Sequence, residues 1–250
     1  MKRANGFFEA FVNEQAYRTS AEDRALAAQI TSVVQGAVLG GQVRWAGSQR
    51  KGTAVVGSDL DLCVESTEII TERQRRELRT LLDQALGRPA VIQSHVVRLP
   101  AFQGRPKVDI AFANAAFGSR PLPDTDAFHD NRARQASARA MKLWARGVRL
   151  PPLPGWVIEA LVVHLDHGDA DRLPVELFLR VIAWLEERAT VASLEGVLRP
   201  VAHPRWEPAW SERLPGRLEA VRNQARALRS REPKPDTWRS VADVGIWLSQ

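Results

Sequence analysis

Residues 47–64, GSQRKGTAVVGSDLDLCV, join a loop rich in glycine and serine to a segment that carries two aspartates. Apolar and polar side chains alternate along residues 59–65, which predicts a β-strand with one apolar face. Asp59 and Asp61 therefore share the other face. Two neighbouring carboxylates repel each other, and their burial is costly unless a cation neutralises them. Hard oxygen donors of this kind suit Mg²⁺ or Mn²⁺.

A third acid lies in a second apolar segment. Asp109 in VDIAF belongs to a strand predicted over 107–113, on the face opposite its apolar neighbours. If the two strands are neighbours, three carboxylates meet and can hold two metal ions, which suits phosphoryl or nucleotidyl transfer. Gly47 and Ser48 are candidates for a phosphate cradle, because glycine permits close backbone approach and serine adds a donor. The loop lacks the GxxxxGK[ST] pattern of a Walker A motif.

The arrangement of predicted elements divides the chain in two. The first half is α+β, and the second half is helical with Pro and Gly between its helices. We predict a catalytic lobe over residues 1–118 and a helical lobe over 119–250. The predicted helices cover 20–39, 70–86, 130–147, 154–168, 173–189, 213–230 and 236–248, with a short one near 7–12, and the predicted strands cover 42–46, 59–65, 90–99 and 107–113.

Composition limits the class of protein. The chain has 250 residues, 44% of them hydrophobic and 26% charged, which is ordinary globular usage and excludes a mostly disordered chain. Its single cysteine excludes an internal disulfide framework and a cysteine-rich zinc module. No apolar run reaches membrane-spanning length and no signal peptide is evident, so we expect a soluble cytoplasmic protein without a membrane partner. The net charge is +6, and residues 132–150 contain six basic side chains and no acid.

The ordered set of motifs resembles the DNA polymerase β-like nucleotidyltransferase superfamily. Its signature is a Gly-Ser loop, a Dx[DE] strand and a later apolar-acid-apolar strand, represented here by Gly47-Ser48, Asp59-Leu60-Asp61 and Val108-Asp109-Ile110. The GSxxxGT element that runs into SDxDL is most similar to the branch of oligoadenylate synthetase and cyclic GMP–AMP synthase. Bacterial cyclic oligonucleotide synthases of antiviral defence belong to the same branch. The resemblance covers roughly residues 20–168.

The resemblance implies a fold and a set of roles. The fold would be a palm-like mixed sheet with helices, followed by an all-helical C-terminal lobe. Asp59, Asp61 and Asp109 would be catalytic and would bind two Mg²⁺ or Mn²⁺ ions. Gly47 and Ser48 would bind the triphosphate. Lys142, in a helix with a Lys-x-Trp element, would reach the triphosphate from the helical lobe, and the basic stretch around it would line the nucleotide cleft.

The expected activity is transfer of a nucleoside monophosphate from a nucleoside triphosphate to a hydroxyl acceptor, with release of pyrophosphate. The leading product is a cyclic or linear oligonucleotide signal. One alternative is a terminal nucleotidyltransferase acting on RNA, which would make RNA an acceptor or activator. Another is nucleotidyl transfer to a small molecule, such as an aminoglycoside, or to a protein. A non-enzyme alternative is an inactive sensor of nucleotide or RNA.

Overall fold

A computed structural model of the protein describes residues 2–93, 96–115, 126–148, 153–168, 172–198, 208–231, 238 and 240–249, with only the backbone of 208–214. The chain forms two compact units. One is Tyr17–Leu122, and the other combines Met1–Ala16 with Pro123–Gln250. The predicted boundary between residues 118 and 119 lies outside the described residues. The unit assignment differs from the predicted lobes for residues 1–16, which belong with the helices.

The first unit contains a five-stranded mixed sheet, which confirms the predicted α+β class. The strands are β1 (Gln42–Trp45), β2 (Leu60–Glu65), β3 (Val91–Gln93), β4 (Val96–Leu99) and β5 (Val108–Phe112), and the helices are α2 (Ala21–Ala37), α3 (Gly47–Arg50) and α4 (Glu72–Leu86). The strand order is β1-β2-β5-β4-β3. β2 and β5 are parallel neighbours at the centre, and the other pairs are antiparallel.

One face of this sheet packs on the helices. Leu60, Leu62 and Val64 of β2 join the apolar residues of β5 in a core that also contains side chains of α2 and α4. The helices are well specified at their N-termini, since Ser20 with Asp23 and Thr71 with Gln74 form capping boxes. Because side chains alternate along a strand, the polar residues of β2 and β5 lie on the face away from this core.

The prediction of one strand over residues 90–99 was wrong. The segment forms two strands, β3 and β4, which pair antiparallel from Val91 with Arg98 to Gln93 with Val96. The segment contains no Gly, Pro, Asn or Asp, the residues that most clearly mark where a chain reverses. Its β4 part pairs with β5 and places Arg98 opposite Asp109.

The second unit is helical, as predicted. Its helices are α1 (Lys2–Glu14), α5 (Arg132–Gly147), α6 (Gly155–Leu165), α7 (Pro174–Arg188), α8 (Val191–Leu198), α9 (Pro208–Ser230) and α10 (Val241–Ser249), with a 3₁₀ turn at Asp126–Phe128. Aromatic contacts tie α1 into this unit: Phe8 packs on Phe178, and Phe178 packs edge-on against Trp247, with ring centroids 5.5 and 5.6 Å apart.

Several helices differ from the predictions. The four-residue helix α3 lies in the segment predicted as a loop, α1 begins at Lys2 rather than near residue 7, and α10 begins at Val241 rather than at 236. α8 was not predicted, and α9 begins at Pro208 rather than near residue 213, with Pro215 inside it. Pro215 is the eighth residue of α9, so it lies in the helix interior, where its missing N–H removes one backbone hydrogen bond without ending the helix. Within the part of the chain that the structure describes, every helix is too short or too polar to cross a membrane.

Candidate active site

The three predicted acids lie at the centre of the sheet. Asp61 in β2 is the direct register partner of Asp109 in β5. Asp59 comes immediately before β2, where the backbone N–H of Leu60 donates to the carbonyl of Lys107 at 2.8 Å. The prediction that the two acidic strands are neighbours is therefore correct, and the parallel register places Asp61 and Asp109 side by side.

The loop after β1 presses against Asp61. Gly47 has a φ of +54°, which favours glycine. A side chain there would meet Asp61, since a Cβ atom would lie 2.5 Å from Asp61 Cγ and closer still to Oδ2. The backbone N–H of Ala46 donates to the carbonyl of Asp61 at 2.8 Å. A residue with a side chain at this position would therefore displace Asp61, and the backbone of Gly47 lies directly beside the carboxylate.

Gln49 fixes the backbone that carries two of the acids. Its side-chain amide donates to the carbonyl of Asp59 at 2.5 Å and accepts from the N–H of Asp61 at 3.4 Å. One side chain thus bridges both ends of the Asp59-Leu60-Asp61 segment. Gln49 was not predicted, because a glutamine in a loop gives no pattern by which its partners can be found.

Two basic side chains neutralise the acids. Arg98 of β4 donates through Nε to Asp109 Oδ1 at 2.6 Å and through Nη2 to Oδ2 at 2.7 Å. Lys107 forms an ion pair with Asp59, and its Nζ lies 4.0 Å from Asp109 Oδ2. The hydrogen bond to Asp109 raises the pKa of the Arg98 guanidinium further above its usual range.

The donor chemistry fits a hard divalent cation. The acids supply carboxylate oxygens, and Asp59 and Asp109 already converge on one positive charge, the ammonium group of Lys107. With the side chains as they stand, no three carboxylates, histidines or cysteines of the described segments are grouped closely enough to hold a metal ion. Binding of a cation would therefore require these acids to exchange partners.

The rest of the loop is folded on itself. The carbonyl of Ser48 accepts from the N–H groups of Thr53 and Ala54 at 2.9 and 3.1 Å. Lys51 is only 2% exposed, so it belongs to the interior of the loop, whereas Arg50 is exposed. The predicted role of Ser48 as a phosphate contact stays a prediction.

Lys142 lies in α5 of the helical unit. Its Nζ contacts Glu159 Oε1 of α6 at 2.8 Å, and both side chains are almost buried. Its predicted contact with a triphosphate stays a prediction. Two other basic side chains of the same stretch form ion pairs within this unit, Arg132 with Glu9 and Arg134 with Asp166, and Arg139 donates a hydrogen bond to the side-chain oxygen of Asn13. Part of the positive charge seen in the sequence at 132–150 is therefore balanced by acids from distant segments.

Solved structures of nucleotidyltransferases share this fold. The complex of Cid1 with the UTP analogue UMPNPP matches with a TM-score of 0.66 at 15% identity, over 96% of this chain and 97% of that one. The GLD-2/RNP-8 complex matches with a TM-score of 0.67 at 10% identity, over 97% of both chains. The CdnC:HORMA complex of E. coli MS115-1 matches with a TM-score of 0.65 at 17% identity, over 98% and 96%.

The chain has a nucleotidyltransferase fold. The fold that the motif resemblance implied is therefore confirmed. No protein-family model and no curated protein sequence matches the chain. Because the identities are 10–17%, the similarity lies in the arrangement of the elements.

Sequence reasoning missed the basic partners of the acids in this nucleotidyltransferase fold, although the signal was present. Arg98 alternates with buried Val97 and Leu99 in β4, and Lys107 lies two residues before Asp109. The period of two that assigned Asp109 to the polar face assigns both basic residues to that face as well. The register of β4 against β5, which was not predicted, brings Arg98 to Asp109.

Proposed function

We propose that this protein transfers a nucleoside monophosphate from a nucleoside triphosphate to a hydroxyl acceptor. The observation that carries the proposal is the in-register placement of Asp61 beside Asp109, with Asp59 at the start of the same strand and the Gly47 backbone against Asp61. The shared fold with Cid1 and GLD-2 structures supports the same reaction class.

In the proposed reaction, the acceptor hydroxyl oxygen forms a bond to the α-phosphorus. The bond from that phosphorus to the bridging oxygen of the β-phosphate breaks, and pyrophosphate leaves with the electron pair. The hydroxyl proton passes to the carboxylate of Asp109 and then to water. Gly47, Ser48 and Lys142 are the proposed contacts of the triphosphate.

Asp59, Asp61 and Asp109 would hold divalent cations, and we propose two Mg²⁺ or Mn²⁺ ions. When bound, such ions neutralise the triphosphate and lower the pKa of the acceptor hydroxyl. The support from this chain is its set of carboxylate donors at the sheet centre. One Cid1 structure with this fold is a complex with MgATP.

The acceptor has two candidates. The GSxxxGT…SDxDL element favours synthesis of a cyclic or linear oligonucleotide signal, and a role in antiviral defence would follow from that product. The structures of Cid1, described as an RNA terminal uridylyl transferase, favour addition of nucleotides to an RNA end. The RNA reaction requires an RNA acceptor, whereas signal synthesis requires only nucleoside triphosphates.

The test is incubation of the full chain with all four labelled nucleoside triphosphates and Mg²⁺ or Mn²⁺, with and without RNA, followed by mass analysis. Short products made without RNA support signal synthesis, and lengthened RNA supports terminal transfer. Labelled nucleotide that transfers only when an aminoglycoside or a protein acceptor is added supports those alternatives. Nucleotide binding without pyrophosphate release under every condition contradicts the proposal and favours an inactive sensor.

The matched variant replaces Asp59 and Asp61 by alanine. It should abolish turnover and leave the helical unit folded, because neither residue belongs to the apolar core. The fold is checked by circular dichroism and thermal melting. Activity close to that of the unchanged protein would exclude these acids from the reaction.

A further inference from the structure

Lys107 links two acids of the proposed active site. It forms an ion pair with Asp59, and its Nζ is 4.0 Å from Asp109 Oδ2. We propose that Lys107 is a displaceable internal counter-ion, which holds Asp59 and Asp109 in the metal-free protein and leaves when a divalent cation binds, while Arg98 remains on Asp109 as a positioning residue. This inference rests on the proposed function, because it concerns the metal site of that reaction.

Arg98 is the more firmly held of the two basic residues. Both of its bonds reach a single carboxylate in a parallel, bidentate geometry, at 2.6 and 2.7 Å. The side chains of Asp109 and Arg98 are 12% and 27% exposed, so the carboxylate of this pair is largely shielded from water. A carboxylate has about four lone-pair sites, so Asp109 can accept from Arg98 and still offer oxygen lone pairs to a cation. Arg98 therefore fixes the orientation of the carboxylate without blocking it.

Lys107 is held more weakly. Its side chain is 29% exposed, about as much as that of Arg98, but its partner Asp59 is 44% exposed, so water competes for the Asp59 carboxylate. Exposed pairs of this kind contribute little to stability. A lysine ammonium is a compact point charge on a flexible stem, and it can move into solvent without disturbing the backbone. Displacement of Lys107 by a cation should therefore cost less free energy than displacement of Arg98.

The present arrangement of the acids agrees with this exchange. Asp59 and Asp109 converge on the Lys107 ammonium, a position that a divalent cation would compete for. Among the residues that the structure describes, no three carboxylate, histidine or cysteine side chains lie close enough together to hold a metal ion. Departure of Lys107 frees oxygens on two of the three acids at once. Lys107 thus sets how tightly the site takes up a metal, which is a role separate from folding.

The test measures binding of Mn²⁺ alone to the full chain by the loss of its free paramagnetic resonance signal. Lys107→Met removes the charge and keeps a side chain of similar length. It should tighten Mn²⁺ binding by about three- to tenfold, because a unit positive charge a few ångströms away no longer opposes the cation. It should leave the metal-free melting temperature little changed and enlarge the rise that Mn²⁺ causes. Arg98→Met should gain no affinity, because the orienting bonds are lost with the charge.

The matched control is Arg44→Met in β1. Arg44 lies on the same sheet and pairs with Glu65 at 3.0 Å, so its loss removes an equal charge without touching the three acids. Its Mn²⁺ affinity should match that of the unchanged protein. Equal tightening in the Arg44 and Lys107 variants, or in the Arg98 and Lys107 variants, would overturn the inference.

The Asp59→Ala/Asp61→Ala double variant separates this inference from the proposed function. If the unchanged protein and the Lys107 variant bind Mn²⁺ equally and more tightly than the double variant, the metal site stands and the role of Lys107 is overturned. If none of them binds Mn²⁺, the metal site fails and the inference fails with it. Binding gained only on removal of Lys107 supports both.

Discussion

Replacement of Gly47 by alanine tests whether the loop after β1 must touch Asp61. The added Cβ would lie 2.7 Å from Asp61 Cβ and 2.5 Å from its Cγ, distances at which one of the two residues must move. A left-handed conformation for alanine costs about 1–2 kcal/mol. Relief of the overlap adds about 1–3 kcal/mol, as in other overpacked sites. We therefore expect the free energy of unfolding to fall by about 2–5 kcal/mol.

Gly87→Ala is the matched control. Gly87 ends α4 with a φ of +57°, close to that of Gly47, but a Cβ there would meet nothing within 4 Å. Gly87→Ala should therefore lower the free energy of unfolding only by the cost of the left-handed backbone conformation, about 1–2 kcal/mol. The difference between the two variants isolates the contact with Asp61. It is measured by equilibrium urea unfolding, followed by circular dichroism.

Activity gives a second measurement of the same contact. Because the new methyl group displaces the Asp61 carboxylate, Gly47→Ala should lose nucleotidyl transfer even where it remains folded, whereas Gly87→Ala should keep it. A double-mutant cycle with Asp61→Gly should recover most of the steric cost. Equal unfolding free energies for the two alanine variants, within about 0.5 kcal/mol, would refute the close approach.

Three further predictions concern the first unit. Arg88 is buried and donates to the carbonyls of Leu99, Pro100 and Pro106, so Arg88→Met should cost about 3 kcal/mol or more in urea unfolding. Burial, and then Glu65, raises the pKa of the Cys63 thiol to about 11, so native protein should resist alkylation at pH 8 and the unfolded chain should react at one thiol. Burial, and then the hydrogen bond to Asp23, raises the pKa of Tyr17, the single tyrosine, above its usual value of about 10. Native absorbance at 295 nm should therefore not rise near pH 10, and the stability that Tyr17 contributes should be complete below pH 10 and fall above it.

The features of the fold that were predicted depend on local patterns. Alternation in 59–65 and 107–113 was enough to place Asp61 and Asp109 on one face, and capping residues fixed the start of α2. The β3–β4 hairpin was missed because its apolar residues do not alternate clearly, and α8 was missed because it is only eight residues long. The sequence did not show that α1 belongs to the helical unit, because Phe8 of α1 packs on Phe178, which is 170 residues away in the sequence.

The charge pattern was harder to interpret than the hydrophobic pattern, because the partners of a charged side chain can lie far away in the sequence. Residues 132–150 contain no acid, which suggested a basic surface, yet Arg132 pairs with Glu9 from α1 and Lys142 pairs with Glu159 from α6. An ion pair leaves no periodic signal along the chain, since its partners can come from any element that packs nearby. Local charge in a sequence therefore predicts little about local charge on a folded surface.

The supports of the candidate site fall into two groups with different consequences. Gln49 holds the backbone of the Asp59–Asp61 segment through two hydrogen bonds, and Gly47 leaves room for the Asp61 side chain. Arg98 and Lys107 contact only carboxylate oxygens. Loss of Gln49 or Gly47 should move an acid itself, so it should impair the site whatever cation is present. Loss of Arg98 should release the orientation of the Asp109 carboxylate, whereas loss of Lys107 should leave the acids in place and change how strongly they attract a cation. The sheet register thus determines where the carboxylates are, Arg98 how one of them is oriented, and Lys107 how strongly two of them attract a cation.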